Sequence, residues 1–218
     1  MIKCYYAKIN LIKDSVFEQL SKEERYAAIT NDQKRKEKIA RDMLFDYVVK
    51  KEKVKCDILY NKFGKPDFKD KRYHFNLSHS CDGVVMAFSD SEVGIDLQKI
   101  TNYSEEKLDK MASRIYNDND YNYFDTDDNI TFTQIWAIKE AYLKYIGVGL
   151  VKNLHDVEID YLKKTVSYEK DREAKYAICY YKNYIVCIVS SNMNKALIDD
   201  IFDKKIFYND KEIFEKDE

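Results

Sequence analysis

One proline and five glycines in 218 residues are unusually few. That scarcity excludes a collagenous or proline-rich chain, and any phosphate loop built on a glycine-rich stretch. The order must come from packing. Hydrophobic residues make up 45% and charged residues 35%, a globular balance well above that of disorder. A chain of this length buries roughly 70% of its extended surface, so it needs neither disulfides nor a structural metal. The 19 tyrosines and 11 phenylalanines can supply much of the core. The length suits one large domain or two small ones.

The net charge is −2, but it is unevenly spread. Residues 1–100 carry 20 basic and 16 acidic side chains, and residues 101–218 carry 17 and 23. This is too mild for a nucleic-acid or membrane field over the whole chain, but it permits an anion site in the first half and a cation site nearer the second. Cys4, Cys56, Cys81, Cys179 and Cys187 are odd in number with no Cys-x-x-Cys, which argues against a disulfide framework or zinc site. There is no signal-like apolar segment at the N-terminus and no apolar run near 18 residues. The expectation is a reduced, cytoplasmic, soluble protein.

Met1–Ile9 reads as a strand and Phe17–Arg25 as a short polar helix. Ile39, Met43, Leu44, Tyr47 and Val48 recur at helical spacing within Lys34–Val49, whose other face is basic. Val84–Phe88 and Val93–Leu97 read as strands joined in a hairpin. Thr131–Gln134 fits a capping box opening a helix to Ile146, with Gly147 as its C-cap. Further strands are expected at Val157–Ile159, Thr165–Tyr168, Tyr176–Tyr181, Tyr184–Ser190 and, at an edge, Ile206–Tyr208.

Four sets of residues could carry chemistry. In Val93–Gln98, Gly94, Asp96 and Gln98 share one strand face, so a carboxylate and an amide oxygen can address one hard cation such as Mg²⁺. The plain alternative is a solvent-facing polar edge. Glu140 falls inside the apolar stripe of Phe132, Trp136 and Leu143, which is costly unless it is paired or metal-bound. With Lys144 at i+4 it also reads as an ordinary surface pair. Asn76–Ser80 offers hydroxyls, an amide and an imidazole that could hold a phosphate, or simply cap a strand end. The basic set Lys22, Arg25, Lys34 to Arg41 and Lys65 binds anions or is merely solvated.

The order of these motifs says more than each alone. Gly64-Lys-Pro66, Phe75-Asn-Leu-Ser-His-Ser80, Gly94-Ile-Asp96 and Trp136-x-x-Lys-Glu-Ala141-x-x-Lys144-x-x-Gly147-x-Gly-Leu150 together resemble the Sfp-type 4′-phosphopantetheinyl transferases, in their Trp/Lys-Glu-Ala branch. The resemblance implies an α+β fold of two similar lobes related by a pseudo-two-fold axis, each an antiparallel sheet packed with a long helix. The lobes would be residues 1–102 and 103–218, with the site in the cleft between them. It implies transfer of the phosphopantetheine arm of coenzyme A to a serine of an acyl or peptidyl carrier protein, with Mg²⁺ and release of adenosine 3′,5′-bisphosphate. Asp96 and Glu140 would be metal ligands, with Gln98 beside them. Glu140 would also be the base, and Lys144 would steady developing charge. Ser78, His79, Lys65 and, more loosely, Lys22 and Arg25 would hold the coenzyme. A monomer without nucleic-acid or membrane partners is expected.

Two departures stand out. Gln98 stands where many relatives have Glu, and Cys81 where they often have Gly. They leave open a non-catalytic module that binds coenzyme A or a carrier. A metal-dependent nucleotide hydrolase would use the same carboxylates.

Overall fold

The computed structural model describes residues 1–123, 128–149, 153–169 and 172–193, with the backbone alone of 171, 196–200, 207–208 and 211–212. In chain order the elements are β1 (Ile2–Lys8), α1 (Asp14–Leu20), α2 (Glu24–Ala27), α3 (Asp32–Glu52), β2 (Ile58–Tyr60), β3 (Pro66–Phe68), β4 (His74–Ser80), β5 (Gly83–Ser89) and β6 (Gly94–Lys99). There follow α4 (Glu105–Ile115), α5 (Asp118–Tyr123), α6 (Asn129–Ile146), β7 (Val157–Asp160), β8 (Thr165–Tyr168), β9 (Asp171–Tyr181), β10 (Tyr184–Ser190), β11 (Ala196–Asp200), β12 (Phe207–Tyr208) and β13 (Lys211–Glu212). The class is α+β, as expected. One sheet runs β11-β1-β5-β4 and the other β6-β10-β9-β8-β7. All their pairings are antiparallel except β1 with β11.

The period of two in the strands decides the layering. On β1, Tyr5 and Ala7 pack with Ile39, Met43, Leu44 and Val48 of α3, joined by Val84, Met86 and Phe88 of β5. The alternate residues Ile2, Cys4, Tyr6, Val85 and Ala87 meet Val93, Ile95, Leu97, Tyr184, Val186 and Ile188 of the second sheet. On the far side of that sheet, Ile185, Cys187 and Val189 pack against α6. The result is helix, sheet, sheet, helix. β5 and β10 are covered on both faces, which is why they read as unbroken apolar runs.

Some expectations shift. Val84–Phe88 and Val93–Leu97 do not form a hairpin. β5 is flanked by β1 and β4 and has no free edge, and β6 pairs with β10 instead. β6 thus lies in the second sheet, while β11 returns to the first. The helix α6 starts before the expected capping box: Asp128 is its N-cap, accepting from the Thr131 N–H at 2.6 Å. Gly147 is the C-cap expected, at φ 72°. The segment Phe17–Arg25 divides into α1 and α2. Among the described residues Phe207–Tyr208 pairs with Lys211–Glu212, while Ile206 and Leu150 lie outside the described residues. No helix among the described residues is long and apolar enough to cross a membrane.

Candidate active site

β4 and β6 are the facing edges of the two sheets, and side chains join them where a backbone ladder would otherwise run. Asn76 Oδ1 accepts from the Ile95 N–H at 2.9 Å, Ser78 Oγ from Leu97 at 3.2 Å, and Ser80 Oγ from Lys99 at 3.1 Å. Every second residue of one strand thereby satisfies every second amide of the other. Because Ile95 and Leu97 face the inter-sheet core, Asp96 and Gln98 are turned the opposite way, toward α6.

The helix comes close because of Gly94. A Cβ there would sit 2.0 Å from the Ala141 carbonyl oxygen and 2.5 Å from the Tyr145 nitrogen. Only a bare backbone lets α6 lie on β6 at this height. Gly94 therefore admits the helix; the open surface beside Asp96 is formed elsewhere.

Arg41, Leu77, Ser78, His79, Asp96, Gln98, Glu140 and Lys144 line a cavity of about 370 Å³. Asp96 is 1% exposed, and its carboxylate is held on both oxygens. Oδ1 accepts from Ser78 Oγ at 2.8 Å and from Lys144 Nζ at 2.5 Å, and Oδ2 accepts from Gln98 Nε2 at 2.8 Å. Lys144 Nζ also donates to Ser78 Oγ at 2.8 Å and stands 3.8 Å from Glu140 Oε2. Trp136 Nε1 donates to Glu140 Oε1 at 3.1 Å and steadies that carboxylate. Burial pushes the Glu140 carboxyl above its ordinary range, and the charge of Asp96 adds to the push. The arrangement sets two oxygen-donor side chains and a cation around one recess.

His79 stands 3.4 Å from Glu37 Oε2, and burial holds its imidazole below the usual range, with Arg41 adding to the effect. Lys65 is used differently from the expectation. Its ammonium donates to the carbonyls of Val93 at 3.2 Å and Tyr145 at 3.1 Å, binding the β2–β3 hairpin to the junction of β6 and α6. Burial lowers its pKa to about 8. Lys22 and Arg25 do not line the cavity, and Arg25 pairs with Glu23 at 2.9 Å. Of the nine residues assigned from the sequence, the structure brings together Ser78, His79, Asp96, Gln98, Glu140 and Lys144.

Sequence reasoning passed over Trp136 as a partner of Glu140, and it placed Arg41 in the basic set without assigning it to the cavity. The i, i+4 spacing of Trp136 to Glu140 was the available signal. For Arg41 it was a position beside the buried Ile39 and Ala40 rather than out on the solvated face. A larger groove of about 1110 Å³, between α5 and β7–β8, shares no residue with this cavity.

The 4′-phosphopantetheinyl transferase superfamily model matches residues 92–189, the stretch that holds Asp96, Gln98, Glu140 and Lys144. The 4′-phosphopantetheinyl transferase gsp of Aneurinibacillus migulanus is 35% identical over 54% of this chain and 50% of its own. The 4′-phosphopantetheinyl transferase Sfp of Bacillus subtilis (strain 168) is 30% identical over 61% of this chain and 60% of its own. The chain thus spans about half to three-fifths of the length of these two relatives. A solved holo-(acyl-carrier-protein) synthase from Bacillus anthracis str. Ames, in complex with CoA (3′,5′-ADP), is 26% identical with a TM-score of 0.37, over 45% of this chain and 93% of its own. The resemblance read from the motifs is borne out: this chain is similar to the Sfp-type transferases along its motif-bearing segment.

Proposed function

We propose, from the match of residues 92–189 to the 4′-phosphopantetheinyl transferases, that this chain moves the phosphopantetheine arm of coenzyme A to a serine hydroxyl of an apo acyl or peptidyl carrier protein. Adenosine 3′,5′-bisphosphate is the leaving product. The single observation that carries the reading is the Asp96–Lys144–Glu140 constellation, built at the meeting of β6 and α6 inside the matched segment.

The donor set fits Mg²⁺. Two carboxylates converge on one recess, and Asp96 adds to the upward push on the Glu140 carboxyl, a like-charge pressure that a hard cation relieves. Asp96 and Glu140 would hold it, with the Gln98 carbonyl oxygen as a neutral third donor, since the amide nitrogen is committed to Asp96. When bound, Mg²⁺ supplies positive charge that neutralises the diphosphate and the charge developing on the leaving group.

The protein's own groups do the rest. Glu140 takes the serine proton, directly or through water; beside a bound cation and Lys144 its carboxylate is a weak base, so activation of the nucleophile depends on geometry as much as on pKa. Trp136 fixes its orientation. Lys144 meets negative charge on the transferring phosphoryl group, and Ser78 and Asp96 hold its ammonium in place. His79 and Ser78 contact the coenzyme. Coenzyme A is larger than a cavity of about 370 Å³, so its outer part would extend along the protein surface, where Lys22 and Arg25 would meet its phosphates. Lys65 would have to release two carbonyls to do the same. The reading takes the protein as a cytoplasmic monomer of two lobes divided near residue 102.

The test is to mix the protein with coenzyme A, Mg²⁺ and apo carriers of the fatty-acid, polyketide and nonribosomal-peptide classes, then weigh the carriers. A phosphopantetheine mass gain is expected. No gain on any of them, with coenzyme A bound, leaves a binding module in its place. Glu140→Gln should keep the fold and lose transfer by at least about 100-fold, the scale of a removed general base.

A further inference from the structure

Lys144 stands in the last turn of α6, where a helix has no N–H groups of its own left for its carbonyls. The Leu143 carbonyl is served locally, by the Gly147 and Val148 N–H groups. Those of Tyr145 and Gly147 are served from 80 and 86 residues away, by the segment that joins β2 to β3. Lys65 Nζ donates to the Tyr145 carbonyl at 3.1 Å, and Asn61 Nδ2 donates to the Gly147 carbonyl at 2.7 Å.

The turn between β2 and β3 is built to deliver these two donors. Asn61 Oδ1 accepts from the Phe63 and Lys65 N–H groups, both at 2.9 Å, which leaves the amide nitrogen for α6. Gly64, at φ 84°, closes the turn. Gly147 is shaped to receive it: a Cβ there would lie 2.7 Å from Asn61 Nδ2 and 3.0 Å from Lys65 Cδ. The Lys65 ammonium also donates to the Val93 carbonyl at 3.2 Å. One cation thus ties the start of β6 to the end of α6, beside Gly94, where the two backbones touch. The helix dipole favours a positive charge at that end of α6.

We propose that Asn61 and Lys65 are positioning residues, which fix the last turn of α6 so that Lys144 is held against Ser78 and Asp96 in reach of the transferring phosphoryl group. This rests on the transferase reading above. Lys65 acts through Lys144 rather than by touching the coenzyme.

The test compares Lys65→Met and Asn61→Asp with the unmodified protein in kcat for carrier transfer, coenzyme A affinity by calorimetry, Tm, and amide hydrogen exchange at residues 143–148. Lys65→Met keeps the stem and removes the ammonium. Asn61→Asp keeps the acceptor that shapes the turn and sets a carboxylate oxygen against the Gly147 carbonyl. In each variant kcat should fall by about 10-fold or more, the scale of a reacting group out of place. Coenzyme A affinity should stay unchanged, and exchange at residues 143–148 should quicken. Weakened coenzyme A binding with kcat intact makes Lys65 a coenzyme contact and overturns the proposal. A lowered Tm with unchanged kcat makes the two residues merely structural and overturns it as well. If Lys65→Met does not fold, Asn61→Asp decides by the same criteria. If the unmodified protein transfers to no carrier, the functional reading falls by itself. Hydrogen exchange then judges the positioning: faster exchange at residues 143–148 in the variants upholds it, and unchanged exchange overturns it.

Discussion

Lys139 and Glu140 are neighbours in the Trp-x-x-Lys-Glu-Ala run, yet they face opposite environments. Glu140 lines the cavity, while Lys139 is fully buried on the other side of α6. Its ammonium lies 2.6 Å from Asp120 Oδ2 and donates to the Ile115 carbonyl at 2.8 Å. Tyr161 donates to the other oxygen of Asp120. This buried pair ties α4, α5 and the turn after β7 to the helix that carries the carboxylate. Lys139→Met should therefore cost about 3–5 kcal/mol in urea unfolding, because it strands the Asp120 charge. Adding Asp120→Asn should recover a large part of that loss, which a double-mutant cycle reads directly. Cys81 behaves differently. It is the first residue of the two-residue turn between β4 and β5, at φ 52°, where an L side chain is strained. Cys81→Gly should raise stability by about 1 kcal/mol, measured by denaturant midpoint.

At the level of elements, α6 and β6 depend on contact without intervening side chains. Gly94→Ala forces its methyl into the Ala141 carbonyl, and the helix must lift. The expected loss is more than about 3 kcal/mol of stability, with transfer falling further than stability alone explains, since Glu140 and Lys144 move with the helix. A thermal melt and the carrier mass assay on one sample separate the two effects. Much of this junction was legible in the chain. Strand alternation put Asp96 and Gln98 on one face, and the i, i+4 relation put Lys144 with Glu140, because both are local rules. The pairing of β6 was not legible: its partner β10 lies some 90 residues downstream, and nothing near Val93–Gln98 indicates that β5 has both edges filled. Lys139 was missed for the same reason, since Asp120 and Tyr161 are distant in sequence. The direction of Lys65 was equally hidden, because the carbonyls it serves belong to β6 and α6.

Across the whole molecule, the sheets exchange chain segments. The first 102 residues supply β6 to the second sheet, and the last quarter supplies β11 to the first. Residues 1–102 expressed alone should not unfold cooperatively, because Val93, Ile95 and Leu97 lose their cover from Tyr184, Val186 and Ile188. A sharp calorimetric transition in that fragment would show that the first lobe is autonomous. The charge asymmetry between the halves takes on structural meaning here as well. α3, with its basic residues, and α6, with its carboxylate, border the same cavity through Arg41 and Glu140.

β1 is hydrogen-bonded on one side to β5 and on the other to β11, with Ile2 opposite Ala196. A ribosome finishes β1 almost at once, but the parallel partner for its outer edge emerges some 190 residues later. During that interval a nascent chain carries an open strand edge that includes Ile2, Tyr5 and Tyr6, the kind of edge that recruits other chains. Closing it is the longest-range pairing among the described residues and belongs among the slow, late events of folding. Shortening the chain before β11 should therefore show first as loss of soluble yield during synthesis, ahead of any change in the chemistry at the cavity.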